Sequence, residues 1–326
     1  MTTTPPRPIT LPAEPADYAG LTRGPLHAWW RPFWSLLLLA VVAGILTVVL
    51  VLLAVGITIA RGLPPTATLT QFDVFTNGAL GLLLNNLSLS ISIPAVIVAT
   101  ALAQRLPHGY VSSVTGRFRW RWFLRITLCL LPVFLLTIGT VRAINYTGVR
   151  PEPQWGWLIL VVLLTTPLQT AGEEYLFRGW LPQNVGGWFR ARWLAWGVPV
   201  LLSTAIFALL HLSLDPWVLA DLAIFAVAAS VMTWRTGGIE AAIAMHVLSN
   251  ALILGSGAVL GGLRNSFVTQ QTTGSWDLVV VTLITQGLSV AVVFWAARRF
   301  GIQRLSAPPP AGSVGDPGVR LGERAG

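Results

Sequence analysis

The sequence predicts an all-α protein, a polytopic transmembrane bundle of about eight helices. Two observations lead to this prediction. Of the 326 residues, 54% are hydrophobic and only 10% are charged, whereas about a quarter of the residues in soluble domains are charged. The hydrophobic residues also stand in blocks of about 18 or more, which is long enough to cross the hydrocarbon core of a bilayer.

Hydropathy places the individual spans along the chain. They lie near residues 34–60, 79–104, 122–141, 155–181, 194–213, 217–234, 238–260 and 277–297. The fourth is apolar only to Gln169, and we extend it to the stop signal at Pro182. The first is too long, and begins too far from the N-terminus, for a cleavable signal peptide.

Composition divides the chain further. The first 30 or so residues and the last 24 or so are rich in Pro, Gly, Thr or Ser and poor in periodic apolar residues, which is typical of mobile tails. The predicted parts are a mobile cytoplasmic tail (1–31), three N-terminal spans (32–150), a core of spans four to seven (151–260), the last span (261–302) and a second mobile cytoplasmic tail (303–326).

The positive charges predict the orientation of the bundle. All 21 basic residues are arginine, and 17 of them fall on the same side of the predicted spans as both termini; the other four are Arg61, Arg142, Arg150 and Arg264. Because arginine-rich segments stay in the cytoplasm, we expect a multi-pass protein of the cell membrane with both termini cytoplasmic. This placement accounts for the net charge of +9, and no nucleic-acid partner is expected.

Polar residues inside the spans cluster in the second half of the chain. An ionisable group at the centre of a bilayer costs roughly 3 kcal/mol and usually has a function. Each residue taken alone has a structural alternative, such as an ion pair across one helical turn or a hydrogen bond between helices. Together, on three spans, they indicate a functional site; they are Glu173, Glu174 and Arg178, then Phe207 and His211, then His246 and Asn250.

The residue types suit hydrolysis. Two adjacent glutamates point about 100° apart on a helix, so Arg178 can hold Glu174 ionised while Glu173 turns toward the interior. Glu173 can then act as a general base on a water molecule that His211 also holds. His246 and Asn250, one turn apart, offer N–H groups to an oxyanion.

A metal is the alternative for the same site. Glu173, His211 and His246 could bind a divalent ion such as zinc, which would polarise the water. No H-E-x-x-H motif is present, and the single cysteine, Cys129, excludes a cysteine-based site. We favour a site without a cofactor.

At these residues the chain resembles the CPBP family of intramembrane endopeptidases, which includes the Rce1-like CAAX proteases, bacteriocin-processing relatives and Abi proteins. The pattern of that family is E-E-x-x-x-R, F-x-x-x-H and H-x-x-x-N. The corresponding motifs here run Glu173–Arg178, Phe207–His211 and His246–Asn250, and the resemblance covers about residues 155–255.

The resemblance implies a protease with these residues in the same roles. Glu173 would activate water with His211, His246 and Asn250 would form the oxyanion hole, and Glu174 and Arg178 would be supporting residues. The partners implied are the lipid bilayer and a membrane-associated or lipid-anchored protein substrate, which we expect to be cut from the cytoplasmic side. The alternatives are a catalytically silent immunity or chaperone-like protein and, with less support, an ion or proton transporter.

One residue does not fit easily. His211 lies some 17 residues into its predicted span, which would place it near the outer side, away from Glu173. We therefore expect residues 187–197 to lie along the interface as an amphipathic segment, so that the fifth helix begins late. Asp215 and Asp221 are expected near the outer interface, and Asn85 and Asn86 are expected to bond between helices.

Overall fold

The computed structural model describes residues 10–146 and 148–307 of the chain. Over these residues the regular structure is helical, with no strand and one isolated bridge between Ser113 and Gly238. Eight helices are long and apolar enough to cross a membrane, by length and composition. The predicted all-α polytopic bundle is therefore confirmed.

We number these helices in chain order. They are α1 Arg31–Ala60, α2 Ala79–Gln104, α3 Trp120–Ile144, α4 Trp155–Gly186, α5 Arg192–Leu210, α6 Pro216–Thr236, α7 Glu240–Leu260 and α8 Trp276–Arg299. Short helices in the connections cover Tyr18–Gly20, Pro65–Ala67, Thr68–Gln71, Val74–Asn77, Gly109–Ser112 and Leu263–Ser266.

Two boundaries differ from the prediction. Helix α4 continues through Pro182 to Gly186, because a π-helical turn at Tyr175–Trp180 puts this proline at the start of a new helical segment, where no backbone N–H is needed. Helix α5 begins at Arg192, so the prediction of an interfacial segment over 187–197 was wrong. Only residues 187–191 connect the two helices.

The outer surface of the bundle is apolar. Helix α1 is the least covered of the eight, because only 6% of its most apolar 18-residue stretch is buried. Its Leu37, Ile45 and Leu52 are all more than half exposed. Apolar patches this extensive are not stable in water, so these side chains face lipid in a multi-pass membrane protein.

Connections between the helices gather at the two ends of the bundle. We call one end the terminal face; it comprises segments 10–30, 105–119, 187–191, 237–239 and 300–307. Backbone hydrogen bonds join these segments: Val114 N–H donates to the Gly237 carbonyl, Ile239 N–H to Ser112, and Ser306 N–H to Ala16 at 2.8 Å. The terminal face is thus a continuous layer.

Residues 10–30 differ from the mobile tail that their composition predicted. Tyr18, Ala19 and Leu21 are completely buried against the ends of α2, α4 and α7. Thr22 and Arg23 donate side-chain hydrogen bonds of 2.8 and 2.7 Å to the carbonyls of Gln183 and Gly186. These carbonyls end α4 and have no partner within the helix, which explains the docking. Residues 1–9 and 308–326 of the predicted tails lie outside the described residues.

The other end, which we call the loop face, comprises segments 61–78, 148–154, 211–215 and 261–275. Glu152 N–H donates to the Ala258 carbonyl at 2.9 Å, and Gly274 N–H donates to the Asp215 carboxylate at 3.1 Å. Gly261 has a φ of +96°, and a Cβ there would lie 2.8 Å from the Arg150 carbonyl oxygen. Both the backbone conformation and this close approach require glycine.

Candidate active site

The two glutamates follow a close approach between α4 and α2. A Cβ on Gly172 would lie 2.3 Å from the Leu89 carbonyl oxygen, so glycine permits this contact immediately before Glu173. The π-helical turn begins directly after Glu174, and such turns are frequent at functional sites. It rotates the following side chains, including Arg178, relative to a regular helix.

Glu174 is held in a buried group of three charged or polar side chains. Its carboxylate and the Arg178 guanidinium are both 0% exposed and 3.1 Å apart. The same Glu174 oxygen lies 2.8 Å from Nδ1 of His246. Because an ionised carboxylate only accepts hydrogen bonds, Nδ1 of His246 carries a proton, and its Nε2 points elsewhere.

Phe207 covers this group. Its ring lies 4.7 Å from the centre of the Arg178 guanidinium, and Phe225 lies 6.0 Å from it. The Phe207 ring also contacts His211, with centroids 4.7 Å apart, and His246, with centroids 6.2 Å apart. The faces of aromatic rings attract a cation, and this attraction is stronger where water is excluded. Phe207, the phenylalanine of the second motif, therefore helps to stabilise the buried Arg178 guanidinium.

Glu173 turns the other way, into a cavity. Its side chain is 14% exposed, and its Oε2 lies 3.9 Å from Nε2 of His246. Gln169, one turn earlier on α4, donates a hydrogen bond to its Oε1. Asn250 in turn donates to the Gln169 side chain at 3.3 Å. Gln169 therefore connects the carboxylate to the third motif.

His211 stands at the C-terminal end of α5. Its Nδ1 lies 2.8 Å from the carbonyl oxygen of Phe207, and a carbonyl can only accept, so Nδ1 is the protonated nitrogen. The lone pair of Nε2 is then free to accept a hydrogen bond. Within the described residues no hydrogen bond joins His211 to Glu173, but both side chains line the same cavity.

This cavity, which we call the glutamate cavity, has a volume of about 320 Å³ and is lined by both polar and apolar side chains. It begins at Glu173 and His246 and continues past Asn250 to Ser266 and Phe267 in the connection between α7 and α8. His211 at the end of α5 and Glu173 in the middle of α4 therefore line one cavity.

Several residues that line this cavity were not predicted from the sequence. Asp221, expected near the outer interface, lines the cavity. Asn86 donates to Thr165 and Thr166 of α4 at 2.8 and 3.2 Å, as expected of a bond between helices, and it lines the cavity as well. Gln169 could have been found from its position four residues before Glu173, on the same helical face.

The metal alternative named Glu173, His211 and His246 as ligands. Among the described residues no three or more His, Cys, Asp or Glu side chains are close enough together to hold a metal ion. Glu173, His211 and His246 therefore do not form such a group in this arrangement.

The fold and the site together define a class: a multi-pass membrane protein with a glutamate–histidine site enclosed by its helices. Residues 154–252 match the family described as type II CAAX prenyl endopeptidase Rce1-like. The resemblance expected from the three motifs is confirmed over these residues, and it supports an intramembrane protease at the level of the family.

The chain is 24% identical over 240 residues to the uncharacterized protein YyaK of Bacillus subtilis, which covers 67% of this chain and 77% of that protein. No solved structure matches the chain.

Proposed function

We propose that the protein is an intramembrane endopeptidase that hydrolyses a peptide bond of a membrane-associated substrate. The observation that supports this most directly is the division between two adjacent glutamates. Glu174 is fully buried and paired with Arg178 and His246, whereas Glu173 faces the cavity and is bound by Gln169. Glu174 holds the side chains around it in place, and Glu173 is available to act as a base.

In the proposed mechanism a water molecule lies between Glu173 and Nε2 of His211. Glu173 takes a proton from this water as the oxygen attacks the carbonyl carbon of the substrate. His246 acts here as an imidazolium: its Nδ1–H is held by Glu174, and its Nε2–H and the amide of Asn250 donate to the developing oxyanion, where preorganised donors stabilise negative charge. Glu173 then passes its proton to the leaving amine, so that the peptide bond breaks and Glu173 is ionised again.

Two alternatives make different demands on the same residues. A silent immunity or chaperone-like protein would not need the hydrogen bond from Gln169 to Glu173 or the free Nε2 of His211. A transporter would need a polar path through the whole bundle. The polar residues of the cavity wall end instead at Glu174 and Arg178, which are both 0% exposed. This favours a site that opens at one end of the bundle over a proton or ion path that crosses it.

The test compares membrane proteomes of cells with the wild-type protein and with Glu173→Gln, which keeps the size of the side chain but removes the base. We expect peptide ends produced by the wild type to be absent from the variant, while both proteins reach the membrane in equal amounts. Glu14→Gln, an exposed acid on the terminal face, is the matched control and should cut normally.

A chelator arm addresses the metal alternative. Cutting that persists in the chelator agrees with the glutamate mechanism, and cutting lost in the chelator but restored by zinc contradicts it. Peptide ends that are the same in the wild type and in Glu173→Gln contradict the proposed function itself.

A further inference from the structure

The glutamate cavity is closed toward the terminal face. Beneath Glu174 and Arg178, the hydroxyls of Tyr175 and Ser112 are hydrogen-bonded at 2.7 Å, and Ile239 N–H donates to the Ser112 carbonyl. Tyr18 of the N-terminal segment adds a further layer, because it is 0% exposed and its hydroxyl donates to the Val111 carbonyl. Three layers of packed residues therefore separate the site from this end.

The cavity is open toward the loop face. It shares part of its wall, including Asp221, Ser249 and Gln286, with a neighbouring cavity of about 390 Å³. The neighbouring cavity continues along the 265–275 connection, where Thr272, Thr273 and Ser275 line it. A route that includes these polar side chains thus leads from Glu173 to the end of the bundle opposite the terminal face.

The walls of the neighbouring cavity indicate what it accommodates. Its lining combines the apolar side chains of Ile138 and Val141 of α3 and Val279 of α8 with the hydroxyl groups of the 272–275 segment. A chain that is anchored in lipid and emerges into water has the same two kinds of surface. A purely polar peptide would leave the apolar wall uncovered.

Arginine relates the two faces to the two sides of the membrane. The terminal face and the adjoining helix ends hold most of the arginines, among them Arg117, Arg119 and Arg304, whereas the loop-face side holds Arg61, Arg142, Arg150 and Arg264. The positive-inside rule assigns the richer side to the cytoplasm. The end at which the cavity opens is then the outer one.

We infer that the site takes its substrate from the outer, non-cytoplasmic side of the membrane, and that this substrate is a membrane-anchored polypeptide whose cleavage site lies in or near the outer half of the bilayer. That the occupant of the cavity is a substrate rests on the proposed function. The route of access does not depend on that function. It replaces the expectation that the protein cuts from the cytoplasmic side.

The test labels single cysteines in spheroplasts with a membrane-impermeant thiol reagent. Cys129, half-buried in α3, is first replaced by alanine, and only variants that reach the membrane in wild-type amounts are used. Thr273→Cys probes the rim, Ser249→Cys probes the cavity wall, and Arg117→Cys probes the terminal face. Val48→Cys, on the exposed apolar side of α1, is the control for a thiol in lipid.

We expect Thr273→Cys and Ser249→Cys to be labelled in intact spheroplasts, Arg117→Cys only after permeabilisation, and Val48→Cys in neither case. Labelling of Arg117→Cys in intact spheroplasts, with Thr273→Cys protected, overturns the inference. Labelling of Thr273→Cys without Ser249→Cys overturns it too, since the cavity would then be closed to the outside.

Peptide ends that appear in the wild type but not in Glu173→Gln distinguish a failure of this inference from a failure of the proposed function. We expect such ends on the outer side of the substrates' membrane anchors; ends on the cytoplasmic side contradict outside access and leave the protease intact. If no end depends on Glu173, the proposed function fails, while the labelling pattern, which requires no activity, still decides the route of access.

Discussion

At the scale of single residues, the pairing of Glu174 with Arg178 is the part of the site that the sequence predicts best. The i, i+4 spacing predicts the ion pair, and the structure has it with both side chains fully buried. The contact with His246 joins α4 to α7 and could not be read from spacing, because it depends on how the helices pack.

Glu174→Gln should destabilise the protein strongly, because the Arg178 guanidinium would remain buried without a counter-charge. Breaking a buried pair from one side typically costs about 3–5 kcal/mol. The double variant Glu174→Gln/Arg178→Met removes both charges and should recover part of this loss. Thermal unfolding in detergent measures both, and a single variant as stable as the wild type would contradict the structural role of the pair.

Gln169→Ala should slow the reaction while leaving substrate binding nearly unchanged, because Gln169 positions the Glu173 carboxylate. A hydrogen bond to a charged group contributes about 1.5–3 kcal/mol, which corresponds to a roughly ten- to hundredfold lower kcat. Gln286→Ala is the control, since Gln286 lines the same cavity but is not bonded to Glu173. An unchanged kcat, or a change confined to KM, would argue against positioning by Gln169.

At the scale of elements, the helices were predictable and their connections were not. Each span is a long apolar run whose backbone hydrogen bonds are satisfied internally, which bilayers require, so hydropathy located all eight. Asp215 shows what hydropathy cannot provide: its carboxylate caps α6 by accepting from Trp217 and Val218, and it also holds Gly274 across the loop face.

Asp215→Ala should lower the unfolding temperature, whereas Asp215→Asn, which can still cap, should lower it less. The hydrogen bonds, that from Val218 first, hold the pKa of Asp215 below its ordinary value. A lowered pKa means that this stabilisation is present at neutral pH and is lost only as the pH falls through the lowered value. The difference between wild type and Asp215→Ala should therefore shrink in strong acid, and a constant difference would contradict this account.

At the scale of the whole molecule, the sequence predicts the membrane bundle and most of the residues of the site, but not the shape of the cavity. Glu173, His211, His246 and Asn250 all line that cavity. Its closed and open ends are set by residues that no motif marks, such as Tyr18 and Thr272. Composition misled us over residues 10–30, because a few buried side chains among many prolines are enough to dock a segment.

Tyr18→Phe tests whether this docking stabilises the entire fold. It removes the hydroxyl that donates to the Val111 carbonyl and leaves that carbonyl buried, which typically costs about 1–3 kcal/mol. We expect a lower unfolding temperature and faster proteolysis near residue 30, with the Glu14→Gln control unchanged. Proteolysis as slow as that of the wild type would mean that the segment contributes little.

The pairing of Ala16 with Ser306 has a consequence for biogenesis. The two residues exchange hydrogen bonds, Ser306 N–H to the Ala16 carbonyl at 2.8 Å and Ala16 N–H to the Ser306 hydroxyl at 3.0 Å, yet 290 positions separate them along the chain. The ribosome must release residue 306 before this contact can form, long after α1 has left the translocon. Until then the terminal face lacks the contact between its first and last segments, so this layer is completed only after all eight helices have been synthesised.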